Sequence, residues 1–493
     1  MNEKLPQLTV FLVGALGLLA AVLIGNAIGS NELPFLVEIV AGGALVGWLI
    51  LAGKYWWLPI AFGIGIGGFF TIPYKLYPHE LGLLLSLGAL LPQLILRRGG
   101  LRQERPAIPK VFYVLGVYLV AHFAFSMIQN QSEGAGNVAR AYMNMLWPVV
   151  FGFYFWRFGS TKVMRTAVQV MYVAALMRMG FGLVNYFAGT TFVIPAINYT
   201  IDPQDLRVSG IIVLVIAVLF ATMKGSFLKR VFNGFIALFS VWAILLGGSR
   251  SGMLTLIFIP LFIFAVSRKW ALVVVSGASA AVIVLWLNVY PGVLNNLPSR
   301  AARSASVVVL GERLDVQEDA RMSNDWHLLA LPGVARERWS RNWRSMAIGT
   351  GIRPFRPINF YAGYERNWIF TMAEVSADMG AYESAFWTLL AVLGLIGMGL
   401  YFAVIIWLLR SLLPPLMKRK KRDLTWGVML WASLAIALWV VLIIPAGGYP
   451  SMEIFLGLLA LATMADEKRA ANQRLPVIAP LARPQRTLSL ARA

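Results

Sequence analysis

Apolar runs long enough to cross a lipid bilayer recur along almost the whole chain, from residue 8 to residue 464. A helix needs about 20 mainly apolar residues to span the hydrocarbon core. The candidate spans are 8–28, 33–52, 56–72, 80–96, 110–128, 142–157, 166–188, 208–223, 231–247, 252–267, 270–289, 384–409, 424–444 and 449–464. The pattern predicts one all-α polytopic membrane protein with about 14 transmembrane helices (12–14), not the roughly three soluble domains this length would otherwise allow. Composition agrees: 59% of the 493 residues are hydrophobic and only 13% are charged. The first run lacks a small-residue cleavage site and reads as a retained anchor. The chain has no cysteine, which excludes a disulfide framework, a thiolate nucleophile and a Cys-ligated metal. With only His79, His122 and His327, a His-rich metal centre is excluded too.

The net charge of +21 could mean nucleic acid, but its distribution means orientation. Basic residues gather on alternate loops: Arg97 to Lys110, Arg157 to Arg165, Lys224 to Arg230, Arg268 and Lys269, Arg410 to Arg422, and the tail from Lys468 to Arg492. With Lys4 and Lys54, these faces hold 27 of the 43 Lys and Arg and only five acids, a net +22, which leaves −1 for everything else. That is an inside-facing signature rather than a nucleic-acid footprint, and it predicts both termini in the cytoplasm.

The expected layout is a transmembrane bundle over 1–289 (about 11 spans), an outward-facing loop subdomain over 290–383, a second bundle over 384–465 (about 3 spans), and a basic, disordered cytoplasmic tail over 466–493. The loop carries eleven Arg and ten acids. Loops this long are usually functional or structured. Val316–Leu331 and Val334–Trp343 have helical periodicity, and Trp326, Trp339, Trp343 and Trp368 suit a lipid interface. Tyr361 and Tyr364, with Trp368, could stack on sugar rings or simply anchor the interface.

Ionisable groups in or beside spans are costly and point to function. They are Glu38, His122, Arg178, Arg207, Arg250, Glu383 and Glu453, and the topology puts each in the outer half of its span or at its outer edge. Arg207 ends a polar loop before the eighth span, and Arg250 opens the tenth inside Gly247-Gly248-Ser249-Arg250-Ser251-Gly252. Two arginines at one height can clamp a diphosphate by bidentate hydrogen bonds. Glycines, Ser249 and Ser251 let backbone approach a ligand, and a helix start favours an anion. The alternative is that each Arg snorkels to lipid phosphate or pairs with Glu38 or Glu453. Arg178, deeper in its span, divides evenly between ion pair and ligand contact. Glu383, in Tyr382-Glu383-Ser384, is a candidate base at a dry interface or a carboxylate favoured by the following helix dipole. Glu38 and Glu453 read as partners of the arginines, and His122 as a polar contact between helices. Arg353 and Arg356 could add positive charge above the cavity, or belong to an ordinary proline turn.

Four patterns together resemble the O-antigen polymerase and O-antigen ligase superfamily. They are Gly248-Ser249-Arg250-Ser251-Gly252, Asp205-Leu206-Arg207-Val208-Ser209-Gly210, Ile348-Gly349-Thr350-Gly351, and Tyr382-Glu383-Ser384 followed by Leu389 to Gly397. They cover residues 205 to about 400; the first five or six spans carry no such motif. The family's ligases usually have a His, often followed by Asn, where Glu383 and Ser384 stand here, which favours a polymerase.

The resemblance implies a GT-C-like fold and a metal-independent inverting glycosyltransferase with no cofactor, in a bacterial inner membrane with its site facing the periplasm. The donor would be a glycan on undecaprenyl diphosphate, with Arg207 and Arg250 stabilising the leaving diphosphate. Arg178, Arg353, Arg356, Ser249, Ser251 and Tyr382 would contact substrate, and Glu383 would orient or deprotonate the acceptor hydroxyl. The acceptor would be another lipid-linked glycan, and the partners membrane lipids plus a chain-length regulator and flippase of the same pathway. A ligase would transfer the same donor to lipid A–core. A flippase would need charges through both leaflets and, usually, a repeat of its halves.

Overall fold

The computed structural model describes residues 43, 47, 55–72, 74–96, 108–129, 135–158, 161–189, 192–194, 199–201, 206–222, 226–247, 250–266, 268–309, 325–352, 368–378, 380, 382–418 and 451–474. The apolar runs 8–28 and 424–444, nearly all of 33–52, and the tail after residue 474 lie outside the described residues. Every other candidate run carries a helix. Among the described residues, five helices are long and apolar enough to cross a membrane: Lys110–Ile128, Thr161–Ala188, Phe227–Leu246, Trp270–Val289 and Ala385–Pro415.

In chain order the helices are α1 (Leu58–Ile66), α2 (Pro78–Leu96), α3 (Lys110–Gln129), α4 (Ala135–Phe158), α5 (Thr161–Ala188), α6 (Leu206–Thr222), α7 (Phe227–Leu246), α8 (Arg250–Val266) and α9 (Trp270–Val289). After them come α10 (Ser299–Ala305), a π turn (Asp325–Ala330), α11 (Leu331–Ser340), α12 (Trp343–Ile348), α13 (Trp368–Asp378), α14 (Ala385–Lys418) and α15 (Ser451–Arg474). α6 is apolar on all sides and runs through the core, packed on α5 and α7, with Ile212 to Leu219 buried throughout. α9 touches mainly α8 and exposes Trp270, Val274, Val275, Val282, Leu285 and Val289. Such an apolar face is at home in lipid and a liability in water.

The chain departs from continuous helices in two places. The run 56–72 is helical only to Ile66. Gly67 and Gly68 have φ of 52° and 70°, a left-handed backbone that stops a helix at little cost only in glycine. The aromatic and β-branched residues that follow favour strands. β1 (Phe69–Ile72) pairs antiparallel with β2 (Tyr74–Leu76), and β3 (Phe192–Ile194) with β4 (Tyr199–Ile201), making one sheet of order β2-β1-β4-β3. The all-α expectation therefore acquires one small sheet, because the pairing across 69–72 and 199–201 is non-local. α1 is about 14 Å long, half a bilayer core. It packs closely because Gly63 faces the Pro78 carbonyl of α2 and Gly65 faces Met171 of α5, where side chains would clash.

The second break is in α14, where Gly394 has φ 68° and ψ −173°. It frees carbonyls that another segment recaptures. Thr350 N donates to Ala391 O at 2.8 Å, Gly351 N to Val392 O at 3.0 Å, and Tyr118 Oη to Leu393 O at 2.5 Å. The glycine-rich turn Ile348-Gly349-Thr350-Gly351 thus docks into the break from within the long loop. Gly349 faces the Val392 carbonyl and Gly351 faces Ser126, so neither has room for a side chain.

Gly394 should tolerate no side chain, whereas Gly399, one turn later in regular helix, has open space around it. Gly394→Ala is expected to destabilise the protein by about 2 kcal/mol or more, from the left-handed penalty plus the clash with Ala347 and Gly349. Gly399→Ala should be neutral or stabilising. Thermal unfolding in detergent, with both variants side by side, checks this.

Candidate functional site

Glu383 stands at the corner where the loop turns into α14. Its φ of 50° is one of two positive values among non-glycine residues in the described chain. Such strain costs of order 1–3 kcal/mol and tends to persist where function requires it. Its carboxylate faces the π turn. Oε2 accepts from Trp326 Nε1 at 3.3 Å and lies 3.4 Å from His327 Nδ1. The two side chains stay open to solvent, His327 at 39% and Glu383 at 48%, so a substrate can reach them. π turns are rare and frequent at functional sites.

Beneath this corner lies an ion cluster absent from the sequence reading. Arg338 on α11 bonds Glu374 Oε2 at 2.5 Å and Asp378 Oδ1 at 2.8 Å, both on α13. Burial opposes the Arg338 charge, but Tyr382, Glu374 and Asp378 outweigh it and hold the guanidinium above its ordinary range. The available signal was faint: Glu374 and Asp378 are four residues apart and share one helix face. Tyr382, next to Glu383 in the chain, is buried in the core.

The arginine motifs meet through backbone. Arg207 is the second residue of α6, and Gly247, at the end of α7, packs against its Cβ and amide. Arg250 and Ser251 open α8 three residues after Gly247, a chain distance of at most about 11 Å. Two helix N-termini, each carrying an arginine, are therefore neighbours. Arg178 is buried, with its guanidinium against Gly67 at the C-terminal end of α1. A helix C-terminus attracts a cation, so the position suits the buried guanidinium. One turn further on, Gly182 packs against Leu206, which puts Arg178 one turn below the start of α6.

His122 links three elements. Its Nε2 lies 2.6 Å from Ile348 O, and a carbonyl only accepts, so Nε2 carries the hydrogen. Nδ1 then accepts from Tyr142 Oη at 2.5 Å, and Ser126 Oγ donates to that hydroxyl at 2.7 Å. His122 thus holds the docked loop end. The sequence reading also passed over Glu80 and Arg140. These form a two-pronged ion pair, both bonds 3.0 Å, with the Arg140 guanidinium over the Tyr77 ring. Their separation of 60 residues leaves no local signal. Glu453 is the third residue of α15. Glu38, Ser249, Arg353, Arg356, Tyr361 and Tyr364 lie outside the described residues. The chain matches no protein-family model and no curated protein.

Arg338→Ala would leave the buried Asp378 carboxylate and the half-buried Glu374 without their counter-charge. The expected loss of stability is about 3–5 kcal/mol, as for other broken buried pairs. Unfolding of the purified variant in detergent measures it; a loss under about 1 kcal/mol would show that the cluster is dispensable.

Proposed function

We propose that this chain is a membrane glycosyltransferase that polymerises undecaprenyl-diphosphate-linked oligosaccharide units into O-antigen or another surface polysaccharide at the outer leaflet of a bacterial inner membrane. The observation that carries this reading is the packing of Gly247 on Arg207, which joins the start of α6 to the turn leading into α8. Two neighbouring helix N-termini, each starting with an arginine-bearing turn, suit a diphosphate. A diphosphate gains negative charge as its bond to sugar breaks, so fixed positive charge there favours the transition state over the ground state.

Glu383 supplies the second half of the chemistry. An acceptor hydroxyl must be oriented and must lose a proton as it attacks. A lipid-linked donor already carries its leaving group, so no nucleotide is required. Docking of Gly349–Gly351 into the α14 break ties this part of the loop to the same helix that Glu383 precedes. The loop and the helix start therefore form one scaffold, which holds the acceptor side in place.

The test is transfer by purified protein given a polyprenyl-diphosphate-linked repeat unit, with products resolved by gel or mass spectrometry. A ladder of longer lipid-linked glycans is expected. Arg250→Ala should lower turnover by about 10²–10³-fold, the usual effect of losing one charge-stabilising donor. Transfer only to an added core lipid would replace the polymerase with a ligase. Donor bound but never transferred would remove the transferase reading.

A further inference from the structure

We propose that Asn185 binds a phosphate oxygen of the lipid-linked donor at the start of α6, and that the apolar groove beside it, between α5 and α7, seats the first units of that donor's prenyl chain. The inference deepens the transferase reading above and rests on it for the identity of the ligand. Two observations on adjoining faces of α5 carry it: a buried amide nitrogen without a partner, and a cavity.

Arg178, Gly182 and Asn185 stand at i, i+4 and i+7 along α5 and share one face. On that face Gly182 touches Leu206, the first residue of α6, so the end of α5 meets the start of α6. Asn185 lies about 4.5 Å further along α5 than Gly182. That is the side to which the unbonded N–H groups of the α6 start point. Asn185 is only 8% exposed, and its Nδ2 is buried with no hydrogen-bond partner among the described residues. An amide nitrogen only donates, so what it requires is an acceptor. A buried donor left without one weakens the fold, and a ligand oxygen would satisfy it. α5, α6, α7 and α8 contain no Asp or Glu, and they contribute Arg178, Arg207 and Arg250. The nearest acids in the chain, Asp202 and Asp205, lie outside the described residues. An amide donor, a helix start and arginines together favour an anion with several acceptor oxygens.

On the next face of α5, Met179, Gly180, Leu183 and Val184 form one wall of a groove, and Phe239 and Trp242 of α7 lie on the other. Its volume is about 910 Å³, and every residue lining it is apolar, which suits hydrocarbon. Leu183 and Asn185 are two residues apart, so the apolar wall and the amide adjoin. That closeness decides the class of lipid. A prenyl diphosphate bonds its phosphate directly to a single hydrocarbon chain. A glycerophospholipid interposes a polar glycerol diester between its phosphate and its two chains.

The experiment is equilibrium binding of farnesyl diphosphate and of inorganic diphosphate to the full-length protein in phosphatidylcholine nanodiscs, with thermal unfolding of each variant. Farnesyl diphosphate should bind about tenfold or more tighter than inorganic diphosphate, because hydrocarbon burial adds to the phosphate contacts. Asn185→Leu should weaken farnesyl diphosphate by about tenfold or more, the effect of losing one hydrogen bond to a charged group. Its melting temperature should hold or rise, because hydrocarbon replaces an unpaired buried amide. A Cβ at Gly180 meets nothing within 4 Å, so Gly180→Trp can fill the groove without disturbing the fold. It should weaken farnesyl diphosphate by a similar factor and leave inorganic diphosphate unchanged. Gly399→Trp, at an equally open glycine on α14, should change neither. Unchanged binding by Asn185→Leu would assign the amide to a buried water and overturn the proposal. Equal displacement of farnesyl diphosphate by phosphatidylglycerol would overturn it too. If Asn185→Leu does not fold, Gly180→Trp decides by the same measurement. A prenyl diphosphate that binds as described but is never transferred from to any acceptor removes the transferase reading and leaves this site standing.

Discussion

An amide or carbonyl without a partner costs several kcal/mol in hydrocarbon, so a chain that interrupts its helices inside a bundle must close each interruption from elsewhere. The architecture follows from how that is done. At Gly394 the closing segment is Gly349–Gly351, which donates two backbone N–H groups, and Tyr118 adds a hydroxyl. At Gly67 the neighbour is the Arg178 guanidinium, at the negative end of a half-length helix. Both closures demand glycine, because the partner occupies the space a side chain would need. The long loop is consequently tied into the bundle at Gly349–Gly351.

The same economy governs the charges. Buried ions survive only when paired or placed at a helix end. Arg338 is held by two carboxylates, and Arg178 by helix geometry. Both are largely sheltered from solvent. Glu383 and His327 differ in kind: they are paired, solvent-accessible and set on strained or unusual backbone. Stability alone gives no reason for that combination, since a glycine at 383 would adopt φ 50° without strain. The contrast between sheltered and accessible pairs separates the scaffold charges from the candidate chemistry.

Hydropathy made most of the helices legible, because a run of apolar residues has few other ways to satisfy its backbone in a membrane. The sheet and the α14 break were not legible. Ile72 pairs with Tyr74 nearby, but Phe70 also pairs with Tyr199, and no window of sequence contains both. Gly394 sits within an apolar run like many harmless glycines; its meaning comes from Thr350 and Gly351, more than forty residues earlier. For the site, single residues such as Glu383 stood out because a charge beside a span is costly. Its partner His327 did not, since a loop histidine carries no such cost. Arg178 was singled out by the same rule, and its guanidinium lies against Gly67.

In-line displacement at a sugar carbon adds a geometric requirement. Nucleophile and leaving group occupy opposite faces of the ring, so a base and a diphosphate clamp cannot be adjacent. In inverting glycoside chemistry the two working groups stand about 6.5–9.5 Å apart for this reason. A protein doing such a reaction should recruit its base and its clamp from separate elements with a gap between them. Glu383 lies at the loop corner before α14 and His327 in the π turn, whereas Arg207 and Arg250 stand at the starts of α6 and α8, so the proposed reading draws its two halves from separate elements. Each half is tied down independently, one by the Arg338 cluster and the docked glycine turn, the other by Gly247 on Arg207.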